Sequence, residues 1–193
     1  PARMARRRVF PAGGVVVMVG VVVLGACSAA AAAGDGDALM DVKNAFVEDP
    51  GGVLAGWGGG GGNSSAFCSW AGLECDAAGA RVTGLNLSGA GLAGEVPGAA
   101  LARLDRLEVV DLSSNRLAGP VPAALGALGR LTALLLYSNR LAGELPPSLG
   151  ALAALRVLRV GDNPALSGPI PAALGVLANL TVLAAASCNL PGA

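Results

Sequence analysis

The stretch LDRLEVVDLSSNRLAGPVPAALGA, residues 104–127, decides the fold, because the chain repeats it. The unit LGRLTALLLYSNRLAGELPPSLGA follows at 128–151, and LAALRVLRVGDNPALSGPIPAALGV occupies 152–176. A looser copy precedes them at 82–103, and a fifth copy runs over 177–193. Five units with one period of 24 or 25 residues predict a solenoid, in which each coil buries its apolar face against its neighbours.

Each unit is predicted to contain a short strand, because its aliphatic residues alternate with other residues. Alternate side chains of a strand share one face, so one set points into the solenoid and the other lies on an open sheet. The inward set is Leu85 and Leu87, Val110 and Leu112, Leu134 and Leu136, Leu158 and Val160, and Leu183 and Ala185. The open face presents Asn86, Ser88, Val109, Asp111, Ser113, Ala133, Leu135, Tyr137, Val157, Arg159 and Gly161.

The open face is the predicted binding surface, with Asp111, Ser113, Leu135, Tyr137 and Arg159 as candidate contacts. Tyr137 and Arg159 are the strongest candidates, because exposed aromatic and arginine side chains often dominate interfaces. The alternative interpretation is that these side chains only coat the first coils.

Asparagines recur where each strand turns away from the sheet, at Asn115, Asn139 and Asn163. A buried amide both donates and accepts, so these residues are predicted to satisfy backbone groups of neighbouring coils. Cys188 takes the same position in the fifth unit, and we interpret it as a structural thiol. Ala90 occupies the position in the first unit, so the ladder is expected to begin imperfectly.

A different segment, 35–80, precedes the repeats and is predicted to cap the solenoid. Leu39, Val42, Phe46 and Val47 have helical spacing, with Asp37 as the candidate N-cap and Pro50 as the end of the helix. The nearby acidic residues are expected to form a solvated helix face; they are Asp35, Asp37, Asp41, Glu48 and Asp49.

The second half of the cap contains CSWAGLEC, residues 68–75. In an oxidising compartment Cys68 and Cys75 are close enough in sequence to form a disulfide. A zinc site is not indicated, because the chain has no histidine and no second close cysteine pair. Trp57 and Trp70, the only tryptophans, are predicted to plug the end of the solenoid.

The N-terminal residues 1–34 read as a signal peptide, with a basic ARRR start, an apolar stretch and a run of small residues. A retained membrane anchor is the alternative, because the uncharged stretch 9–34 is long enough to span a bilayer. The sequence LGAC ending at Cys27 also resembles a bacterial lipoprotein signal.

Composition argues against several functions. The absence of histidine removes the commonest general base and the commonest metal ligand. No nucleophile elbow, phosphate-binding loop or metal-ligand cluster is present, so we predict no catalysis, no metal and no cofactor in this chain. Four of the 13 basic residues lie in the first eight positions, and the mildly acidic remainder disfavours nucleic acid as a partner.

Three sequons mark candidate N-glycosylation sites, at Asn63, Asn86 and Asn179. Asn63 lies in the glycine-rich run GGGGGNSS and is expected to be the easiest to reach.

The combination of a helix ending in LAGW, a CxWxGxxC segment and LxGxIPxxLGxL repeats resembles plant leucine-rich-repeat receptor-like kinases over 37–193. VTGLNLSGAGLAGEV, LRVGDNPALSGPIPAALG and VLAAASCNL are most similar to the GASSHO/SCHENGEN receptor kinases. The resemblance implies an α/β solenoid, a right-handed superhelix with a parallel sheet on its concave face and a helical, disulfide-bonded N-terminal cap.

That resemblance also implies a function. We expect the extracellular N-terminal part of a plasma-membrane receptor kinase that binds a small secreted peptide, possibly tyrosine-sulfated, and pairs with a co-receptor kinase. Such a receptor would attach to the membrane through a C-terminal segment missing from this chain. One alternative is a soluble protein of the cell wall that inhibits microbial wall-degrading enzymes, and another is a co-receptor with five repeats.

Overall fold

The structure is a computed structural model that describes residues 34–58 and 66–189. The predicted signal peptide, apart from residue 34, lies outside the described residues, as does the sequon at Asn63.

Eleven short strands alternate with short helices along the described residues. In chain order the elements are α1 (34–44), β1 (Phe46–Glu48), a 3-10 helix (Ala66–Ser69), β2 (Leu73–Cys75), β3 (Val82–Asn86), β4 (Ala93–Glu95), α2 (Gly98–Leu101), β5 (Val109–Asp111), β6 (Arg116–Gly119), a 3-10 helix (Ala123–Ala127), β7 (Ala133–Leu135), β8 (Arg140–Gly143), a 3-10 helix (Pro147–Ala151), β9 (Val157–Arg159), β10 (Ala165–Leu166), a 3-10 helix (Ala172–Val176) and β11 (Val182–Ala184).

One strand from each repeat joins the main sheet, in the order β11-β9-β7-β5-β3-β2. The five repeat strands are parallel and in register, so that Val110 pairs with Leu134 and Leu134 pairs with Leu158. All the predicted inward residues of the first four units are 0–1% exposed. The predicted fold, a leucine-rich-repeat solenoid with a parallel sheet and an N-terminal cap, is confirmed.

The inward position of the fifth unit departs from the prediction. Leu183 is 39% exposed, whereas its four equivalents are completely buried. Each of those equivalents is covered by the coil that follows it, and no described coil packs on β11. Burial of this inward position therefore depends on a following coil that packs against it, and not on the residue type alone.

A second sheet, β1-β4-β6-β8-β10, follows the turns after the main strands. In the first four coils the chain then enters a short helix, and these helices stack on one another. Gly126 permits the close approach, because a Cβ atom at this position would lie 2.4 Å from the backbone oxygen of Ser148 in the next coil. The glycine of the LG pair therefore has a packing role.

The cap helix ends earlier than predicted. Helix α1 ends at residue 44, and Phe46 and Val47 belong to strand β1, which pairs antiparallel with β4. Asp37 was wrong as the N-cap, because helix α1 already includes residue 34. Val47 is 81% exposed, so its apparent helical spacing does not reflect a buried helix face. Pairing with the edge of the second sheet overrides the helical pattern in this segment.

The rest of the cap seals the end of the main sheet. Strand β2 pairs antiparallel with β3, and Cys75 of this strand forms the cap disulfide with Cys68. The rings of Trp57 and Trp70 stack with centroids 5.7 Å apart. Trp57 is 2% exposed, and its indole N–H donates to the carbonyl of Ala71 at 3.1 Å. These contacts cover the first coil with aromatic surface.

The prediction of a solvated acidic cluster was wrong for Asp35, which is 1% exposed. Its carboxylate accepts hydrogen bonds from Arg81 Nε at 3.0 Å and from the backbone N–H of Val82 at 3.0 Å. The hydrogen bond to Asp35 raises the pKa of the Arg81 guanidinium, which also contacts Asp105. Arg81 makes burial of the Asp35 carboxylate favourable by pairing with its charge. The sequence around Asp35 does not predict this contact, because Arg81 lies 46 residues away.

Candidate ligand-binding face

A repeated backbone conformation ends each main strand and sets the edge of the open face. The residue before each ladder position has positive φ in four coils, at Ser114 (56°), Ser138 (56°), Asp162 (54°) and Ser187 (60°). Gly89 has the same conformation in the first coil, with φ of 67°. Sequence reasoning missed this position, although its recurring small or polar residues were a usable signal, because such residues tolerate the left-handed region better than bulky ones.

The three ladder asparagines bind equivalent groups. The side-chain oxygen of Asn139 accepts from the backbone N–H of Leu117 at 3.0 Å, and its amide nitrogen donates to the carbonyl of Leu112 at 2.9 Å. Asn115 and Asn163 repeat this arrangement one coil before and one coil after. The ladder fixes the turn that follows each main strand, so equivalent outward side chains of successive strands lie side by side on the open face.

Cys188 occupies the next rung. Its thiol donates to the carbonyl of Val160 at 3.2 Å, in the same way that Asn163 binds the carbonyl of Leu136. The side chain is half-buried and is not part of a disulfide. A thiol can replace the donor function of the amide here, but it is a weaker donor.

The open face has a polar end beside the cap. Asn86 is exposed, and its side-chain oxygen accepts from Ser88 N–H and Oγ. Asp111 repeats this contact in the next coil, where it accepts from Ser113 N–H at 3.0 Å and Oγ at 2.6 Å. Ser113 is 0% exposed, so its prediction as a ligand contact was wrong. Its hydroxyl is turned back onto its own strand, which satisfies it without solvent.

Farther from the cap, in the third and fourth coils, the open face is aromatic and cationic. The Arg159 guanidinium lies 4.6 Å from the centroid of the Tyr137 ring, and Leu135 is half-exposed beside them. Such a contact holds an arginine in place while leaving its N–H groups available. Gly161, which was also expected on the face, is buried because the backbone of Ala186 in the next coil lies against it.

The two described sequons lie on different surfaces. Asn86 is at the end of β3 on the open face, whereas Asn179 is in the turn before β11. Both are exposed, but the amide nitrogen of Asn179 already donates to the carbonyl of Ala153 at 2.8 Å.

Within 34–58 and 66–189, no group of side chains is arranged to hold a metal ion. No helix in this part of the chain is both long and apolar enough to cross a bilayer.

Comparison with protein families matches the two regions of the chain separately. Residues 32–76 match the leucine rich repeat N-terminal domain, and 106–128 and 130–152 match the leucine rich repeat. The LRR receptor-like serine/threonine-protein kinase GSO2 of Arabidopsis thaliana is 44% identical over 86 residues, which cover 44% of this chain and 6% of that kinase. The chain thus spans a small fraction of this curated relative.

Solved structures of plant receptor ectodomains are also similar to this chain. The BIR2 ectodomain from Arabidopsis thaliana is 34% identical with a TM-score of 0.75, and the match covers 82% of each chain. The ectodomain of GASSHO1/SCHENGEN3 from Arabidopsis thaliana is 45% identical with a TM-score of 0.69, over 79% of this chain and 18% of that one.

The chain belongs to the leucine-rich-repeat ectodomains of plant receptor kinases. The resemblance to the GASSHO/SCHENGEN receptors, predicted from the sequence, is confirmed by the similarity to GSO2 and GASSHO1. The matched regions are the cap and two of the repeats.

Proposed function

We propose that this chain is the extracellular recognition region of a plant receptor-like serine/threonine kinase, and that it binds a small secreted peptide on the open face. The observation that carries the proposal is the exposed Arg159 guanidinium held over the Tyr137 ring. The GASSHO1/SCHENGEN3 ectodomain, to which the chain is similar, was crystallised in complex with CASPARIAN STRIP INTEGRITY FACTOR 2.

The chemistry of the face favours an extended ligand with an anionic group. Arg159 is exposed and binds a π face, so its N–H groups can donate to a carboxylate or to the sulfate of a modified tyrosine. Leu135 and Tyr137 provide half-exposed apolar surface next to it. Asp111 is secondary, because it is half-buried and its carboxylate already binds Ser113.

Signalling would require a partner, and we propose a second receptor kinase ectodomain in that role. The BIR3–SERK2 complex from Arabidopsis thaliana pairs two proteins, and one of its chains is 33% identical to this chain with a TM-score of 0.73. In this arrangement the chain lies on the outer side of the plasma membrane and transmits peptide binding by association.

The proposal is tested by titrating secreted plant peptides, sulfated and unsulfated, into the purified ectodomain of the full-length protein by calorimetry. Arg159→Ala and Tyr137→Ala are each expected to weaken binding about tenfold, the loss typical of an interface anchor. Arg130→Ala is the matched control, since Arg130 is also exposed but lies in the turn before β7. Equal losses in the control and in Arg159→Ala would refute the assignment of the face.

A second candidate is a short ectodomain whose main partner is another receptor. It is favoured by the match to BIR2, which covers 82% of both chains. The two candidates are separated by sequencing the complete transcript. Many additional repeats before a membrane helix support the peptide receptor, and a membrane helix soon after the fifth unit supports the short ectodomain.

A further inference from the structure

The first strand of the open face carries a sequon in an unusual place. Asn86, Leu87 and Ser88 form the acceptor pattern, and Asn86 is the last residue of β3 on the proposed binding surface. The register aligns Asn86 with Asp111, Leu135 and Arg159 across four parallel strands. Anything attached to Asn86 therefore lies in the same row of residues as Arg159, three strands away.

The amide nitrogen of Asn86 is available for attachment. Its side-chain oxygen is occupied by Ser88, but among the described residues no acceptor contacts Nδ2. A glycosylated asparagine keeps its oxygen, so both contacts with Ser88 survive the modification. Asn179 differs, because its nitrogen holds the carbonyl of Ala153 in the preceding coil.

Space is also open around Asn86. Its neighbour on the cap side is Gly72, whose carbonyl accepts from the Asn86 N–H at 2.7 Å. Gly72 has no side chain, and the side chain of Asn86 is itself exposed. On the other side Asp111 is half-buried and bends back to Ser113.

We propose that Asn86 carries an N-linked glycan, which covers the cap end of the open face and confines ligands to the strands from β7 onward. The second part of this proposal, that ligands are confined to these strands, rests on the proposed function. Adjacent strands are about 4.8 Å apart, so the first sugar lies next to Asp111, whereas Arg159 is about 14 Å away. The first sugars thus shelter Asp111, and the Tyr137–Arg159 pair lies two to three strands farther along the face.

The modification is a group transfer from a lipid-linked oligosaccharide diphosphate in the secretory pathway. The bond between the anomeric carbon and the diphosphate oxygen breaks, and the lipid diphosphate leaves with the electron pair. A new bond joins the anomeric carbon to Asn86 Nδ2, which loses one proton.

The first test measures glycan occupancy in the full-length protein expressed in plant cells. A peptide N-glycanase active on plant glycans converts an occupied Asn86 to Asp, which mass spectrometry detects. Ser88→Ala removes the acceptor pattern without changing Asn86, and Ser88→Thr keeps it. We expect occupancy in the wild type and in Ser88→Thr and loss in Ser88→Ala, and an unmodified Asn86 in the wild type overturns the proposal.

The second test measures shielding by carbodiimide labelling of carboxylates in the Ser88→Thr and Ser88→Ala proteins. Labelling of Asp111 should rise several-fold when the glycan is absent, whereas Asp162, exposed in the fourth coil, should be unchanged. Equal labelling of Asp111 in both proteins overturns the shielding. Neither readout needs a ligand, so failure here is distinguishable from failure of the peptide-binding proposal.

Discussion

The ladder asparagine Asn139 offers a direct test of how the coils are held together. It is 6% exposed and lies in the middle of the described repeats. Replacement by alanine removes the acceptor for Leu117 N–H and the donors for Leu112 and Leu136. The two carbonyls keep other donors, because Asn115 also binds Leu112 and Asn163 also binds Leu136.

The expected loss of stability follows from which of these backbone groups keep a hydrogen-bond partner and which do not. The orphaned Leu117 N–H should cost about 1–3 kcal/mol, and the net loss of one amide donor should add about 1 kcal/mol. We therefore expect Asn139→Ala to lower the free energy of unfolding by about 2–4 kcal/mol. With a typical dependence on urea, the midpoint of unfolding should fall by about 1–2 M.

The assay is urea unfolding of the purified ectodomain, followed by far-ultraviolet circular dichroism. Asn44→Ala is the matched control, since Asn44 is exposed at the end of α1, and it should change stability by less than about 0.5 kcal/mol. Asn139→Leu separates hydrogen bonding from volume, because it fills the space without restoring the bonds. If Asn139→Leu is as stable as the wild type, packing and not hydrogen bonding is the role of the ladder, and the reasoning fails.

Three further predictions concern the cap and the stacking of coils. Reducing the cap disulfide should cost about 2–3 kcal/mol through the entropy of its short loop, and an unchanged melting temperature under reductant would contradict this. Gly126→Ala should destabilise the protein by about 1–3 kcal/mol in thermal unfolding, since its Cβ would clash with Ser148, whereas Gly129→Ala has no neighbour within 4 Å and should be nearly neutral. The backbone hydrogen bond from Ala80 lowers the pKa of the Asp76 carboxyl below its usual 3.8. The ionised carboxylate therefore stabilises the turn 76–80 fully above pH 3.8, and this stabilisation is lost as the pH falls through the lowered pKa of Asp76. Asp76→Asn should speed amide exchange of Ala80 at neutral pH, and equal exchange in both proteins would count against this role.

The sequence was a good guide wherever a residue's environment repeats. The positions of Val110, Leu134 and Leu158 followed from periodicity, because each is surrounded by copies of itself from adjacent coils. The same reasoning failed for Leu183, where no described copy follows. It also failed for Ser113, whose hydroxyl turns back to Asp111 of its own strand.

By itself, the sequence determined the solenoid and the ladder, because each copy of the 24- or 25-residue unit buries its apolar face against equivalent coils. Tertiary structure alone decided where the non-repeating residues go. Asp35 is buried because Arg81 meets it from 46 residues away, Val47 lies in a strand because β4 is beside it, and Arg159 meets Tyr137 because the register aligns their coils. These contacts join residues that are distant in the chain, and the local sequence around either residue does not predict that the two meet.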